Sequence, residues 1–153
     1  MGENVNIGDL ILRGGVIGNV DADTPFEVYE QIKTKIKLPK SVTPAQLLEG
    51  LSAREKVLST AVGRGIALPH CRDILLTGSD EQQITVVYLK EPIDMNAPDG
   101  RKVDTMFVLL TSNSQSHLQV LSRLAGLIKD DSFVELLRSR ASAEELADAA
   151  NKI

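Results

Sequence analysis

Tryptophan is absent from the 153 residues, aromatic side chains make up 3% of them, and cysteine occurs once. Any core must therefore be aliphatic, packed from Leu, Ile, Val and Ala. A single thiol excludes an internal disulfide and fits a reducing compartment. No apolar run approaches the length of a bilayer crossing, so direct membrane insertion is not expected. Positive charge is scarce too, with 17 Lys and Arg against 21 Asp and Glu and a formal charge of −4. A dedicated nucleic-acid binder would show a basic face, so that class is set aside. The first residues carry no basic segment followed by an apolar one, and no secretory signal is expected. Met1-Gly2 opens like a myristoylation site, but Asn6 stands where Ser or Thr is required. With 42% hydrophobic and 25% charged residues, the composition is that of a globular chain. The length suits one domain over 1–153, with 1–14 as an N-terminal lead-in, in the cytoplasm.

What is present is an apolar pattern that changes period along the chain, the mark of an alternating α/β domain. Val16, Ile17 and Val20 read as a short strand after Gly14-Gly15. Thr24-Pro25-Phe26-Glu27 is a helix start with a capping box, followed by Phe26, Tyr29, Ile32 and Ile36 on one face and ended near Lys37 or Leu38 by Pro39. Thr43-Pro44-Ala45-Gln46 repeats the device, with Leu47, Leu48 and Leu51 inward to about Glu55. Ile84–Leu89 and Thr105–Leu110 are strands, and the segment from Pro92 to Gly100 between them is a loop. Ser116–Lys129 is helical, with Leu118, Leu121, Leu124, Ala125 and Ile128 on one stripe. Asp131 is expected to cap a short helix to Leu137, and Ser142 to Glu145 form another capping box. The sum is a single α/β domain in which helices flank a central sheet.

Only two histidines exist. His70 follows Ile66-Ala67-Leu68, a plausible short buried strand, and Pro69, which ends a ladder or sits on an edge because it has no N–H. A strand end is the usual place for a site in an α/β protein. Gly63 and Gly65 allow close backbone approach and could present N–H groups to an anion. A Pro-His dipeptide alone is more often a structural or surface histidine than a functional one. A metal site from His70, Cys71 and His117 lacks the usual ligand spacing, and a hydrolase using Cys71 with His117 lacks a nucleophile context.

The stretch resembles the phosphorylation-site signature of the fructose/mannitol-type enzyme IIA domains of the phosphoenolpyruvate-dependent sugar phosphotransferase system, a family that includes stand-alone nitrogen-regulatory paralogues. Glu55, Val62, Gly63, Ile66, Ala67, Leu68, Pro69, His70 and Cys71 fill its slots. His117-Leu118-Gln119-Val120-Leu121-Ser122 resembles its second histidine motif, and the similarity in element order runs from about Gly15 to Ile153. The resemblance implies the mannitol-type enzyme IIA fold, a mixed central sheet flanked by helices. It implies that His70 is the phosphorylated nucleophile, that His117 donates a hydrogen bond to the phosphoryl group, and that Arg54 stabilises its charge. Thr60, Gly63, Gly65 and Arg64 are further candidates for phosphate contact, Arg64 by facing either the phosphoryl site or a partner. The bland readings are a solvated Arg54, a capping-region His117, a Thr60 that satisfies its own backbone and a solvent-exposed Arg64.

No metal or organic cofactor is implied. The implied donor is an HPr-like phosphocarrier protein, docking through an apolar patch rimmed by acidic groups. The implied acceptor or partner is an enzyme IIB or a regulatory target protein. With no fused IIB or membrane segment expected, the regulatory type is favoured over a sugar-transport component. Three departures from the family stand out: Cys71 where Gly is commonest, Arg64 where a polar residue is usual, and Leu58 and Ala61 in place of glycines.

Overall fold

The computed structural model describes residues 5–153; residues 1–4, including the Met1-Gly2 opening, lie outside the described residues. The elements in chain order are α1 (Ile7–Gly14), β1 (Val16–Val20), α2 (Pro25–Ile32), α3 (Pro44–Val57), β2 (Ala61–Gly63), β3 (Ile66–Ala67), β4 (Gln83–Ile93), β5 (Val103–Leu110), α4 (Ser114–Lys129), α5 (Asp131–Arg138) and α6 (Ala143–Lys152). One mixed sheet holds the strands in the order β1-β4-β5-β3-β2. β1 is parallel to β4 and β3 to β5, whereas β4 and β5, like β2 and β3, are antiparallel. This is the expected α/β architecture.

Alternate residues of the central strands serve opposite faces. Ile84, Val86, Tyr88, Phe107 and Leu109 pack with residues of α1, α4, α5 and α6, while Val87, Leu89, Met106, Val108 and Leu110 pack with those of α2 and α3. Because both faces are covered, β4 and β5 read in sequence as continuous apolar runs rather than alternating ones. Among the described residues no helix is long and apolar enough to cross a membrane.

The capping boxes at Thr43–Gln46 and Ser142–Glu145 form as read, each with reciprocal side-chain bonds. Elsewhere the structure departs from expectation. Ile7–Gly14, read as lead-in, is a capped helix whose Ile7, Leu10 and Ile11 are buried. α2 stops at Ile32, and Lys33–Ile36 continue only as turns, because nothing but Ile36 there offers the core an apolar group. Phe26 is exposed, and Glu27 reaches the Asp23 N–H instead of closing the box on Thr24. Pro92 lies inside β4 and not in the loop; it is tolerated because the register with β5 shifts between Tyr88 and Ile93. α4 begins at Ser114 with Asn113 as its cap and buries Val120, Leu124, Leu127 and Ile128, so Leu118 and Ala125 turn outward. α5 is capped by Asp130, not Asp131.

The topology gathers three segments at one end of the sheet. β3 and β5 are parallel, so their C-terminal ends lie together. The Leu109 N–H donates to the Pro69 carbonyl at 2.8 Å and His70 bridges Leu109, which carries the line of β3 on to His70. β5 leads directly into α4, and α3 ends just before β2, whose Ala61 pairs with Ala67. Arg54, His70 and His117 thus come from three segments to the same end of the sheet, outside the C-terminal ends of β3 and β5, where ligands of α/β proteins commonly bind.

Candidate functional site

An open depression of about 400 Å³ at this end is lined by Arg54, His70, Arg72, Thr111, His117 and Leu118, among others. Its floor holds two imidazoles, with the rings of His70 and His117 4.5 Å apart between centroids and tilted by 53°. Both side chains are partly buried. His70 Nδ1 lies 3.0 Å from the Leu68 carbonyl oxygen. A carbonyl only accepts, so Nδ1 carries the proton and Nε2 keeps its lone pair. Among the described residues that Nε2 has no hydrogen-bond partner.

Electrostatics keep both rings neutral. His70 is held below the ordinary imidazole value chiefly by burial and also by the Arg54 charge, against the opposing pull of its Leu68 hydrogen bond and of Glu55. His117 is lowered by burial first, then by His70 and Arg54. A neutral imidazole has the free electron pair that nucleophilic attack requires. His117 stands one turn into α4, at the end where helix dipoles favour negative charge. Its Nδ1 lies 3.3 Å from the Thr111 hydroxyl, and its N–H bonds the Asn113 carbonyl at 3.1 Å. Arg54, half-buried in the last turn of α3, donates to the Leu58 carbonyl and keeps its guanidinium on the depression.

The remaining phosphate-contact candidates do not line the depression. Thr60 is buried, and its hydroxyl and N–H both donate to Glu55 at 2.8 Å. Gly63, Arg64 and Gly65 all have positive φ and make the tight turn between β2 and β3. Carboxylates, not open space, face the two glycines: a Cβ would come within 3.2 Å of Asp99 at Gly63 and of Asp104 at Gly65. Asp99 already accepts the Arg64 N–H at 2.8 Å, and the carboxylates beside the turn repel an anion. The Arg64 guanidinium reaches the far end of α4, bonding the Ile128 carbonyl at 2.9 Å and Asp131 at 2.8 Å. Its role is to cap that helix, so the phosphoryl-site reading of Arg64 is corrected.

Cys71 extends along the wall, but its Sγ packs on α3, where a Cβ at Gly50 would stand only 2.7 Å away. Its backbone has negative φ, so no strain follows from the missing glycine. Burial pushes its thiol up to about 12, leaving it protonated and unsuited to nucleophilic catalysis. Sequence reasoning missed Arg72 and Thr111, which line the depression. Arg72 directly follows the signature, which was a usable signal; a threonine at a strand end is not. Ile74 and Leu118 supply exposed apolar surface at the rim. The rim charge is mixed, with Asp73 beside Arg54 and Arg72, rather than acidic as expected.

The geometry defines a site of two histidines and two arginines on a mixed-sheet α/β domain, and residues 11–152 match the family model described as phosphoenolpyruvate-dependent sugar phosphotransferase system, EIIA 2. The chain belongs to that family. Within it, the chain is similar to the nitrogen regulatory protein of Pseudomonas aeruginosa, being 34% identical over 145 residues that cover 93% of this chain and 92% of that one. The crystal structure of nitrogen regulatory protein IIA-Ntr from Neisseria meningitidis superposes with a TM-score of 0.78 at 30% identity, covering 94% of this chain and 98% of that one. The mannitol-specific phosphotransferase enzyme IIA component of Staphylococcus aureus is 27% identical over 138 residues, 90% of this chain and 92% of that one.

Proposed function

We propose that the protein is a cytoplasmic phosphocarrier of the nitrogen-regulatory type, accepting a phosphoryl group on His70 from an HPr-like phosphocarrier protein. The observation that carries this reading is the Leu68 carbonyl on His70 Nδ1, which leaves Nε2 as the lone-pair atom beside His117 in an open depression. In the transfer, Nε2 of His70 forms a bond to phosphorus as the donor imidazole's N–P bond breaks. The donor nitrogen recovers its lone pair, and the proton of His70 stays on Nδ1, donated to the Leu68 carbonyl. No proton has to move.

The transition state is loose, with charge on the equatorial oxygens, so catalysis comes from positioning and positive potential. Arg54 supplies that potential; two unit charges at 4 Å interact by about 4 kcal/mol at an effective dielectric of 20. In this reading the Thr111 hydroxyl donates to His117 Nδ1, so His117 carries its proton on Nε2 and donates it to a phosphoryl oxygen. Ile74 and Leu118 offer the apolar contact for a docking partner.

Incubation with phosphoenolpyruvate, enzyme I and HPr tests this reading: an acid-labile, base-stable adduct is expected and is lost in His70→Ala. A second reading, a sugar-transport enzyme IIA that passes the group to a separate enzyme IIB, is favoured by the similarity to the mannitol-specific component. Adding purified fructose- or mannitol-type IIB to the phosphorylated protein separates the two. Retention of the label supports the regulatory type, and rapid loss to IIB supports transport.

A further inference from the structure

One carboxylate connects the helix that carries Arg54 to the strand that carries His70. Glu55, the residue after Arg54, receives three hydrogen bonds: from the Tyr29 hydroxyl at 2.7 Å, the Thr60 hydroxyl at 2.8 Å and the Thr60 N–H at 2.8 Å. Thr60 passes the connection on, since its carbonyl accepts the Leu68 N–H at 2.9 Å. The Leu68 carbonyl in turn accepts His70 Nδ1–H at 3.0 Å. The bonds form an unbroken chain, Glu55 to Thr60 to Leu68 to His70, between two residues fifteen apart in sequence and on different elements.

From this chain we infer that Glu55 is a positioning residue, which fixes the tautomer and direction of the His70 ring and sets the distance from it to Arg54. Three features support more than a local fold contact. Both carboxylate oxygens are engaged, Oε1 by two hydroxyls and Oε2 by the Thr60 amide, so the group has one orientation. Thr60 is only 5% exposed and Tyr29 is fully buried, so solvent does not loosen the link. The carbonyl that selects the His70 tautomer belongs to the residue whose own N–H is held by Thr60. Outer-shell hydrogen bonds of this kind orient a reactive ring where no other contact does. The inference rests on His70 being the phosphoryl acceptor only for its kinetic consequence; the tautomer itself is measured without phosphate.

Glu55→Gln is nearly isosteric but has one acceptor oxygen in place of two. No orientation of it accepts from the Thr60 N–H and both hydroxyls as the carboxylate does, so the single fixed orientation of the link is lost. Tyr29→Phe is the control, because it removes a donor to Glu55 and leaves the Thr60–Leu68–His70 path intact. Histidine ¹⁵N spectra of the unphosphorylated proteins should show His70 as the Nδ1–H tautomer in the wild type and in Tyr29→Phe, and as a mixture of tautomers in Glu55→Gln. Phosphoryl acceptance at saturating phospho-HPr should fall on the order of tenfold to a hundredfold in Glu55→Gln alone, with the half-saturating donor concentration unchanged. On the unaltered protein, acid titration of His70 should move the Thr60 amide resonance with the same midpoint, which keeps the test open if Glu55→Gln does not fold. An unchanged tautomer in a folded Glu55→Gln overturns the inference, as does an equal change in Tyr29→Phe or a Thr60 amide indifferent to His70. Failure of all proteins to accept phosphate, with the tautomer result as expected, overturns the proposed function and not the role of Glu55.

Discussion

The rings of His70 and His117 share one small volume, 4.5 Å apart and tilted by 53°, although they come from a strand end and a helix start forty-seven residues apart. Two imidazoles this close cannot both be charged without repulsion, and burial already disfavours the charged form of each. Neutrality of the pair is therefore built into the fold.

Arg54→Ala and His117→Ala should each slow transfer to His70 on the order of a hundredfold, since one well-placed donor is worth about 3 kcal/mol in a transition state. Labelling at long times should remain complete. Single-turnover transfer across an HPr titration checks this: the loss should persist at saturation, whereas a docking defect would disappear there.

The pH dependence has a definite sign. Both histidines have folded values below the ordinary imidazole value of about 6.5, so the unfolded chain binds more protons as pH falls through that range. Their stabilising contribution is complete above the unfolded value and is lost as pH falls toward the lower folded values. Melting temperature should decline on acidification below about pH 6.5, and less steeply in His70→Gln. The acceptance rate should hold at pH values where an ordinary histidine is already half protonated.

Thr111→Val removes the hydroxyl 3.3 Å from His117 Nδ1 and leaves the strand shape unchanged. Loss of one hydrogen bond of about 1 kcal/mol predicts a several-fold slower transfer with little change in melting temperature. A rate equal to wild type would show that His117 is oriented by its helix alone.

Much of this site was legible in sequence, because its key residues sit in local patterns. Thr43–Gln46 and Ser142–Glu145 cap helices through contacts three residues apart, which a sequence displays directly. His70 and His117 were reached through the signature and the second motif, and Arg54 as the arginine that flanks the signature; the topology brings the three together. Arg64 was misread because its partners, Ile128 and Asp131, lie more than sixty residues away. α1 was missed for a similar reason. Gly14 looks like a breaker, yet it ends the helix where a Cβ would come within 2.0 Å of the Ile84 carbonyl oxygen, so a glycine is what that packing demands.

That assignment of Arg64 makes its own prediction. Arg64→Ala should cost about 1 kcal/mol through the lost bond to the α4 carbonyl, with little from the pair with exposed Asp131. Phosphoryl transfer at saturating HPr should be unchanged. Urea unfolding and the single-turnover assay, run on the same preparation, test both halves.

Identification of the phosphorylated atom tests the proposed chemistry most directly. Long-range ¹H–¹⁵N correlation of the protein labelled by phosphoenolpyruvate, enzyme I and HPr assigns the phosphate to a residue and to one of its ring nitrogens. The geometry at Leu68 predicts a single Nε2-phosphohistidine at His70 with its Nδ1 still protonated. A phosphate on His70 Nδ1, on His117, or on a hydroxyl would contradict it.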